Sequence, residues 1–170
     1  MKILVLSDTH IPITGKKIPH RILKEIKNCD LCIHAGDFIE YPVFEKISSC
    51  VKTVGVCGNM DSQEIRQKLP LKTILKVENV SIGIIHGKGV SDKLISFVDK
   101  EFEKDKDNID VFIFGHSHNP LIKTIKNKLY FNPGSAMDKI FAAYNSYGIL
   151  EITGNDIKPV IVKWDHLEET

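Results

Sequence analysis

Seven side chains of metal-ligating type stand where apolar runs give way to polar loops: Asp8 and His10, Asp37, Asn59, His86, and His116 with His118. Carboxylate, imidazole and amide oxygen are the donors that divalent transition metals take, and no thiolate belongs to the set. Asp8 and His10 are two residues apart, and so are His116 and His118. In extended chain that spacing projects both side chains to one face, as joint service at one ion or at two adjacent ions requires. Taken singly, Asp8, Asp37 and Asn59 have ordinary explanations as turn or cap residues. Two histidines flanking one serine directly after a buried strand have no packing purpose, and a purely structural account needs a coincidence at every strand end. The joint pattern points to a metal site.

Bringing these groups together is a task for the strands before them. Apolar runs predict strands over 2–7, 30–34, 51–56, 80–85 and 109–114, and each ends in one of the loops just named. Helices are expected over 19–28, 42–49 and 62–68, and Ser91 and Asp92 are placed to cap another whose apolar stripe is Leu94, Ile95, Val98 and Phe102. The charged run 100–108 reads as a solvated helix end. A hairpin is expected over 71–85 and further strands over 121–126, 129–132, 147–152 and 157–164, with Asn127-Lys128 and Gly154-Asn155-Asp156 as turns. Early βαβ alternation followed by hairpins does not fit a single open sheet. It fits an α/β fold of four layers, an αββα sandwich with two mixed β-sheets. Ligand crevices of open α/β sheets lie at the carboxyl ends of the strands, so topology converges groups that are distant in sequence.

A chain of 170 residues is the size of one domain, expected over 1–166 with 167–170 as a tail. Its 42% hydrophobic content is that of an ordinary globular domain and excludes general disorder. A net charge of +1 and 8% aromatic residues give no dedicated nucleic-acid track, and any anion must be bound locally. No apolar run approaches the roughly 20 residues of a membrane helix, and the first residues lack the features of a secretory signal. The expectation is no membrane association and a cytoplasmic location. Cys29, Cys32, Cys50 and Cys57 lack a second pair to complete a zinc site and read as buried free thiols. His20 and His166 read as surface groups, whereas His34, two residues before Gly36, can support the site, and Lys88, beside His86, can reach a phosphate oxygen.

The blocks Asp8-Thr9-His10, Gly36-Asp37, Gly58-Asn59-Met60-Asp61, His86 and Gly115-His116-Ser117-His118, in this order and across nearly the whole chain, resemble the calcineurin-like metallophosphoesterase superfamily, specifically its small single-domain YfcE-type phosphodiesterases. Asn132-Pro133-Gly134-Ser135 resembles the pattern of that small subgroup as well. The resemblance implies a dinuclear site, with one ion on Asp8, His10, Asp37 and His118, the other on Asp37, Asn59, His86 and His116, and Asp37 as the bridge. It implies hydrolysis of a small phosphodiester by a bridging hydroxide. Two divalent cations, two carboxylates and one hydroxide leave a net charge near +1, which suits an anionic phosphate. The donor set favours Mn, Ni, Fe or Zn over Mg or Ca, with Mn or Ni expected first.

One residue departs from the family pattern: Met60 stands where many members carry a histidine, and a thioether cannot donate a proton. Asp61 is expected to orient Asn59 or a histidine. A protein-interaction scaffold resembling the retromer subunit of the same fold is the competing reading from another class, although a pure scaffold has no need of the final histidine pair. A phosphomonoesterase or nuclease is the alternative within the class. A homodimer is compatible with exposed hairpins, and no sequence feature fixes its interface.

Overall fold

The strand β1 (Lys2–Leu6) sends Ile3 and Val5 to one side and Leu4 and Leu6 to the other, and all four are fully buried. A strand covered on both faces belongs inside a layered structure. The structure, a computed structural model, describes residues 1–138 and 140–164. The expected 166/167 boundary and His166 lie outside the described residues.

Next to β1 run β2 (Leu31–His34) and β3 (Thr53–Gly55), both parallel to it in direction. On its other side lie β9 (Asn145–Thr153) and β10 (Asp156–Trp164), a long antiparallel hairpin, which gives a five-stranded sheet in the order β10-β9-β1-β2-β3. The second sheet is built from β4 (Lys72–Val77), β5 (Val80–Ile85), β6 (Val111–Ile113), β7 (Leu121–Ile125) and β8 (Lys128–Asn132), in the order β4-β5-β6-β8-β7. Its centre β5-β6-β8 is parallel and both edges are antiparallel. Both sheets are therefore mixed, as expected.

Period-two alternation assigns the layers. Ile3, Val5 and Ile33 of the first sheet meet Ile82, Val111, Ile113 and Phe131 of the second in the inner core. Outside the first sheet, α1 (His20–Lys27), α2 (Tyr41–Ser48) and α3 (Gln63–Lys68) press Ile22, Ile26, Ile47 and Ile65 onto Leu4, Leu6 and Cys32. Outside the second, α4 (Leu94–Glu101) supplies Leu94 and Val98, which pack with Phe102 against Phe112 and Tyr130. The αββα sandwich follows from these faces.

Three local expectations are corrected. Ser91 and Asp92 do not cap α4; they open a 3-10 turn, Ser91–Lys93, in which the Lys93 N–H donates to the Val90 carbonyl at 3.0 Å, so the helix start needs no side-chain cap. The β7-β8 turn is Lys126-Asn127, with φ of 49° and 63°, and Lys128 pairs with Ile125. Two positive φ angles give the turn whose twist matches that of the strands. Cys29, Cys32 and Cys57 are buried thiols, but Cys50 is only half-buried. Burial pushes the Cys29 thiol up to about 11. No helix among the described residues is long and apolar enough to cross a membrane.

The sheets approach closely at Gly148 of β9, where a Cβ would lie 2.4 Å from the Phe131 ring. Gly148→Ala forces the ring or the strand aside and should cost about 1–3 kcal/mol of stability. Urea denaturation should show a lower midpoint at unchanged slope; a midpoint equal to that of the parent would mean that the sheets yield there freely.

Candidate metal centre

The ligand-type residues follow the carboxyl ends of five strands: Asp8 and His10 follow β1, Asp37 β2, Asn59 β3, His86 β5, and His116 and His118 β6. Convergence through topology is what the structure has. The conformation of the paired residues is not the extended one expected. Asp8, His10, Asp37, His116 and His118 have φ between 49° and 69°, the left-handed region, which costs of order 1–3 kcal/mol per residue and which Asp and His enter more readily than branched residues do. The reason is that the loops must reverse while staying bonded to one another: the Asp8 N–H donates to the Gly36 carbonyl (3.1 Å) and the His10 N–H to that of Asp37 (3.0 Å).

Each carboxylate divides its oxygens between protein and centre. Asp8 Oδ2 accepts from Ser7 Oγ (2.6 Å) and the His116 N–H (3.1 Å), while Oδ1 lies 3.5 Å from His10 Nε2, 3.9 Å from His86 Nε2 and 3.2 Å from His118 Nε2. Asp37 Oδ1 accepts from the Met60 N–H (2.8 Å), while Oδ2 lies 3.6 Å from His10 Nε2 and 3.2 Å from His86 Nε2. The turned-in atoms Asp8 Oδ1, His10 Nε2 and His86 Nε2 are buried without a hydrogen-bond partner. Donors held about 2.1 Å from a common ion are themselves about 3.0–3.4 Å apart, close to several of these spacings. Asp8, His10 and His118 form one ligand-sized group and Asp8, Asp37 and His86 another.

The histidines show the same division. His86 Nδ1 is 2.7 Å from the Ala35 carbonyl, His116 Nε2 is 3.0 Å from that of Gly89, and His118 Nδ1 meets Asp138 Oδ2. An N–H donated outward leaves the other nitrogen free to ligate inward, the arrangement that orients metal-bound histidines. For His116 the inward atom is Nδ1, 2.9 Å from Asn59 Oδ1. The rings also pair edge to face, His10 with His118 at 5.2 Å and His86 with His116 at 5.3 Å.

Electrostatics demand a cation here. Burial alone would raise the Asp8 carboxyl, but His86, His10 and His118 hold it well below the usual carboxylate range. Burial pushes the His86 and His118 imidazoles down, yet the carboxylates of Asp8 and Asp37 for the first, and of Asp8 and Asp138 for the second, outweigh it and hold both at about 9. Protons on imidazoles answer that demand in the absence of metal, and a divalent ion answers it through the same inward atoms. The residues present fit the metal.

The supporting residues were only partly visible in the sequence. His34 is buried and stacked 3.6 Å from Phe38; its Nδ1 accepts from the Gly36 N–H (3.2 Å) and its Nε2 lies 3.1 Å from Thr9 Oγ1. Burial pushes its pKa down to about 3, so it clasps two ligand loops as a neutral ring. Asp61 does not bond Asn59 or a histidine side chain as expected. It accepts from the backbone N–H groups of Asp37 (3.0 Å), Ile39 (2.8 Å) and Gly58 (2.7 Å), because loops this short leave amides that only a side chain can reach. Gly58 must lack a Cβ, which would fall 2.1 Å from Asp37 Oδ1.

Arg66 and Asp138 were missed, and Ser135 stood out only as part of a motif with no role assigned. Arg66 donates to the carbonyls of Asp61 (3.0 Å) and Asn59 (2.7 Å), and Ser135 Oγ donates to the Asp8 carbonyl (2.7 Å) while accepting from the Asp138 N–H (2.9 Å). The only local signal for Asp138 is its place three residues after Ser135, which reads as a turn.

Comparison with known proteins gives the class to which the fold and its candidate centre belong. Residues 1–155 match the calcineurin-like phosphoesterase superfamily domain. The chain belongs to this family of metal-dependent phosphoester hydrolases. It is 37% identical over 139 residues to a probable metallophosphoesterase, MJ0623, of Methanocaldococcus jannaschii, covering 79% of this chain and 68% of that one. Phosphodiesterase MJ0936 of the same organism is 22% identical over 96% of this chain and all of its own. In fold, the chain matches Vps29 of Chaetomium thermophilum with a TM-score of 0.77 at 20% identity, over 96% of this chain and 95% of that one.

If Asp138 orients His118, Asp138→Asn should weaken divalent-metal binding about 10–100-fold, the usual loss when a ligand's hydrogen-bond partner is changed. Calorimetric titration with Mn²⁺ reads this directly; an unchanged affinity would remove Asp138 from the site.

Proposed function

We propose that this chain is a phosphodiesterase acting in the cytoplasm on small phosphodiesters, with two divalent transition-metal ions, Mn or Ni first. Asp8, His10, Asp37 and His118 would hold one, and Asp37, Asn59, His86 and His116 the other. The observation that carries the reading is the shared orientation: His86, His116 and His118 each turn one ring nitrogen outward to a fixed oxygen, while Asp8 and Asp37 each turn one oxygen inward. A bridging role for Asp37 is supported by its Oδ2, which lies within 3.6 Å of both His10 Nε2 and His86 Nε2. Divalent ions held there supply Lewis acidity toward phosphoryl oxygens and lower the pKa of water.

The chain's own residues then govern the choice of ester. Asp8 and Asp37 leave a modest positive charge, which matches the single charge of a diester better than the two of a monoester. Met60 is about half exposed (48%) at the mouth of the site, where it offers a leaving oxygen no proton. Departure therefore depends on the acidity of the leaving alcohol. The name of the archaeal relative MJ0936, a phosphodiesterase, points the same way.

Chelation should abolish hydrolysis of bis(4-nitrophenyl) phosphate, and Mn²⁺ or Ni²⁺ should restore it. Full turnover by protein shown metal-free by elemental analysis would defeat the mechanism, and no turnover with any divalent metal would favour the scaffold. Asp37→Ala should lose both ions and activity together.

Met60→His should raise turnover most for poor leaving groups, by up to about 10², the range of general acid catalysis. The reading is a series of aryl diesters of graded leaving-group acidity on both proteins. Equal slopes would show that position 60 does not govern protonation.

A further inference from the structure

Two clefts meet at the centre, and they differ in chemistry. One, of about 360 Å³, has His10, Asp37 and His118 at its base and Ile13, Met60, Ile140 and Phe141 around it. The other, of about 630 Å³, adds the charges of Arg66, Lys88 and Glu101 to an apolar lining of Leu71, Ile85 and Phe97. Asn59 and His116 line both. No lysine or arginine lines the first cleft among the described residues.

The four apolar side chains of the first cleft are unusually open: Ile13 is 65% exposed, Met60 48%, Ile140 80% and Phe141 76%. Large apolar groups gathered around a polar floor mark a binding groove, whereas single exposed ones mean nothing. Their placement is also fixed. Asp138 Oδ1 accepts from the Ile140 N–H (2.7 Å) and the Phe141 N–H (3.2 Å), and the Phe141 ring stands 6.2 Å from that of His118.

We propose that the substrate is a phosphodiester with one aromatic alcohol arm, which lies in the cleft walled by Ile13, Met60, Ile140 and Phe141 while the phosphoryl group sits at the centre and the second arm enters the cleft of Lys88. The inference rests on the phosphodiesterase reading and specifies its substrate. A monoester would leave one cleft unfilled. An aromatic ring there covers side chains that otherwise face water.

The test is binding of diphenyl phosphate and dimethyl phosphate to the full chain loaded with Mn²⁺, measured by calorimetry, beside hydrolysis of bis(4-nitrophenyl) phosphate. Diphenyl phosphate should bind roughly tenfold or more tightly than dimethyl phosphate, from burial of one ring. Phe141→Ala, at an exposed position that folding does not need, should remove most of that preference. It should raise KM for the aryl diester with little change in kcat, the sign of lost uniform binding. Equal affinity for the two diesters, or a preference untouched by Phe141→Ala, overturns this proposal while diester hydrolysis stands. Absence of diester hydrolysis with every divalent metal overturns the phosphodiesterase reading itself.

Discussion

Asp8 is buried completely; Ser7 and the His116 amide hold one of its oxygens, and the other faces three imidazoles. A carboxylate removed from water costs several kcal/mol unless charge and hydrogen bonds meet it inside the protein. That requirement fixes much of what surrounds it. Asp37 repeats it beside His10 and His86, so the pair of carboxylates draws positive charge to a point between the two sheets. The inner core of Ile3, Val5, Ile113 and Phe131 registers the sheets against each other, and the strand ends above it bring the loops within reach.

The loops carry strain as a consequence. Five ligand-type residues have left-handed backbone, and so does Ile39, a branched residue at φ 82°. Strain of that kind persists only where the surroundings over-determine it. Here Asp61 holds the amides of Asp37, Ile39 and Gly58, Arg66 holds the carbonyls of Asn59 and Asp61, His34 joins Thr9 to Gly36, and Ser135 takes the Asp8 carbonyl. Their shared effect is to hold donor atoms in place before any ion or substrate arrives, which is the condition for electrostatic preorganisation.

What could be read in the sequence was whatever leaves a local trace. The five inward strands are apolar runs that stop at a ligand-type residue, so both the layers and the seven candidates follow from pattern alone. The turn at Lys126-Asn127 was misplaced by one residue because Asn127 suits either register, and the choice is made by the pairing of Ile125 with Lys128. Left-handed backbone at Asp8 and His10 was not legible, since it answers to the Gly36 and Asp37 carbonyls far along the chain. Asp138 and Arg66 escaped because hydrogen bonds to groups in a loop or turn leave no periodic pattern, even where, as for Arg66, the partners are only five and seven residues away.

Asp138 also joins two properties that look separate. Its carboxylate receives His118 Nδ1 on one side and the amides of Ile140 and Phe141 on the other, while its own carbonyl accepts from Asn145 Nδ2 at 2.6 Å at the start of β9. Burial would raise this carboxyl, but those amides and His118 hold it below the usual range, so it stays an acceptor for all of them at once. His118 and the apolar wall are therefore positioned from one anchor fixed to the first sheet. Loss of the anchor disturbs both, whereas loss of the Phe141 ring leaves its amide and the anchor intact. A change confined to the ring thus alters the wall alone, and a change at Asp138 alters the wall and His118 together.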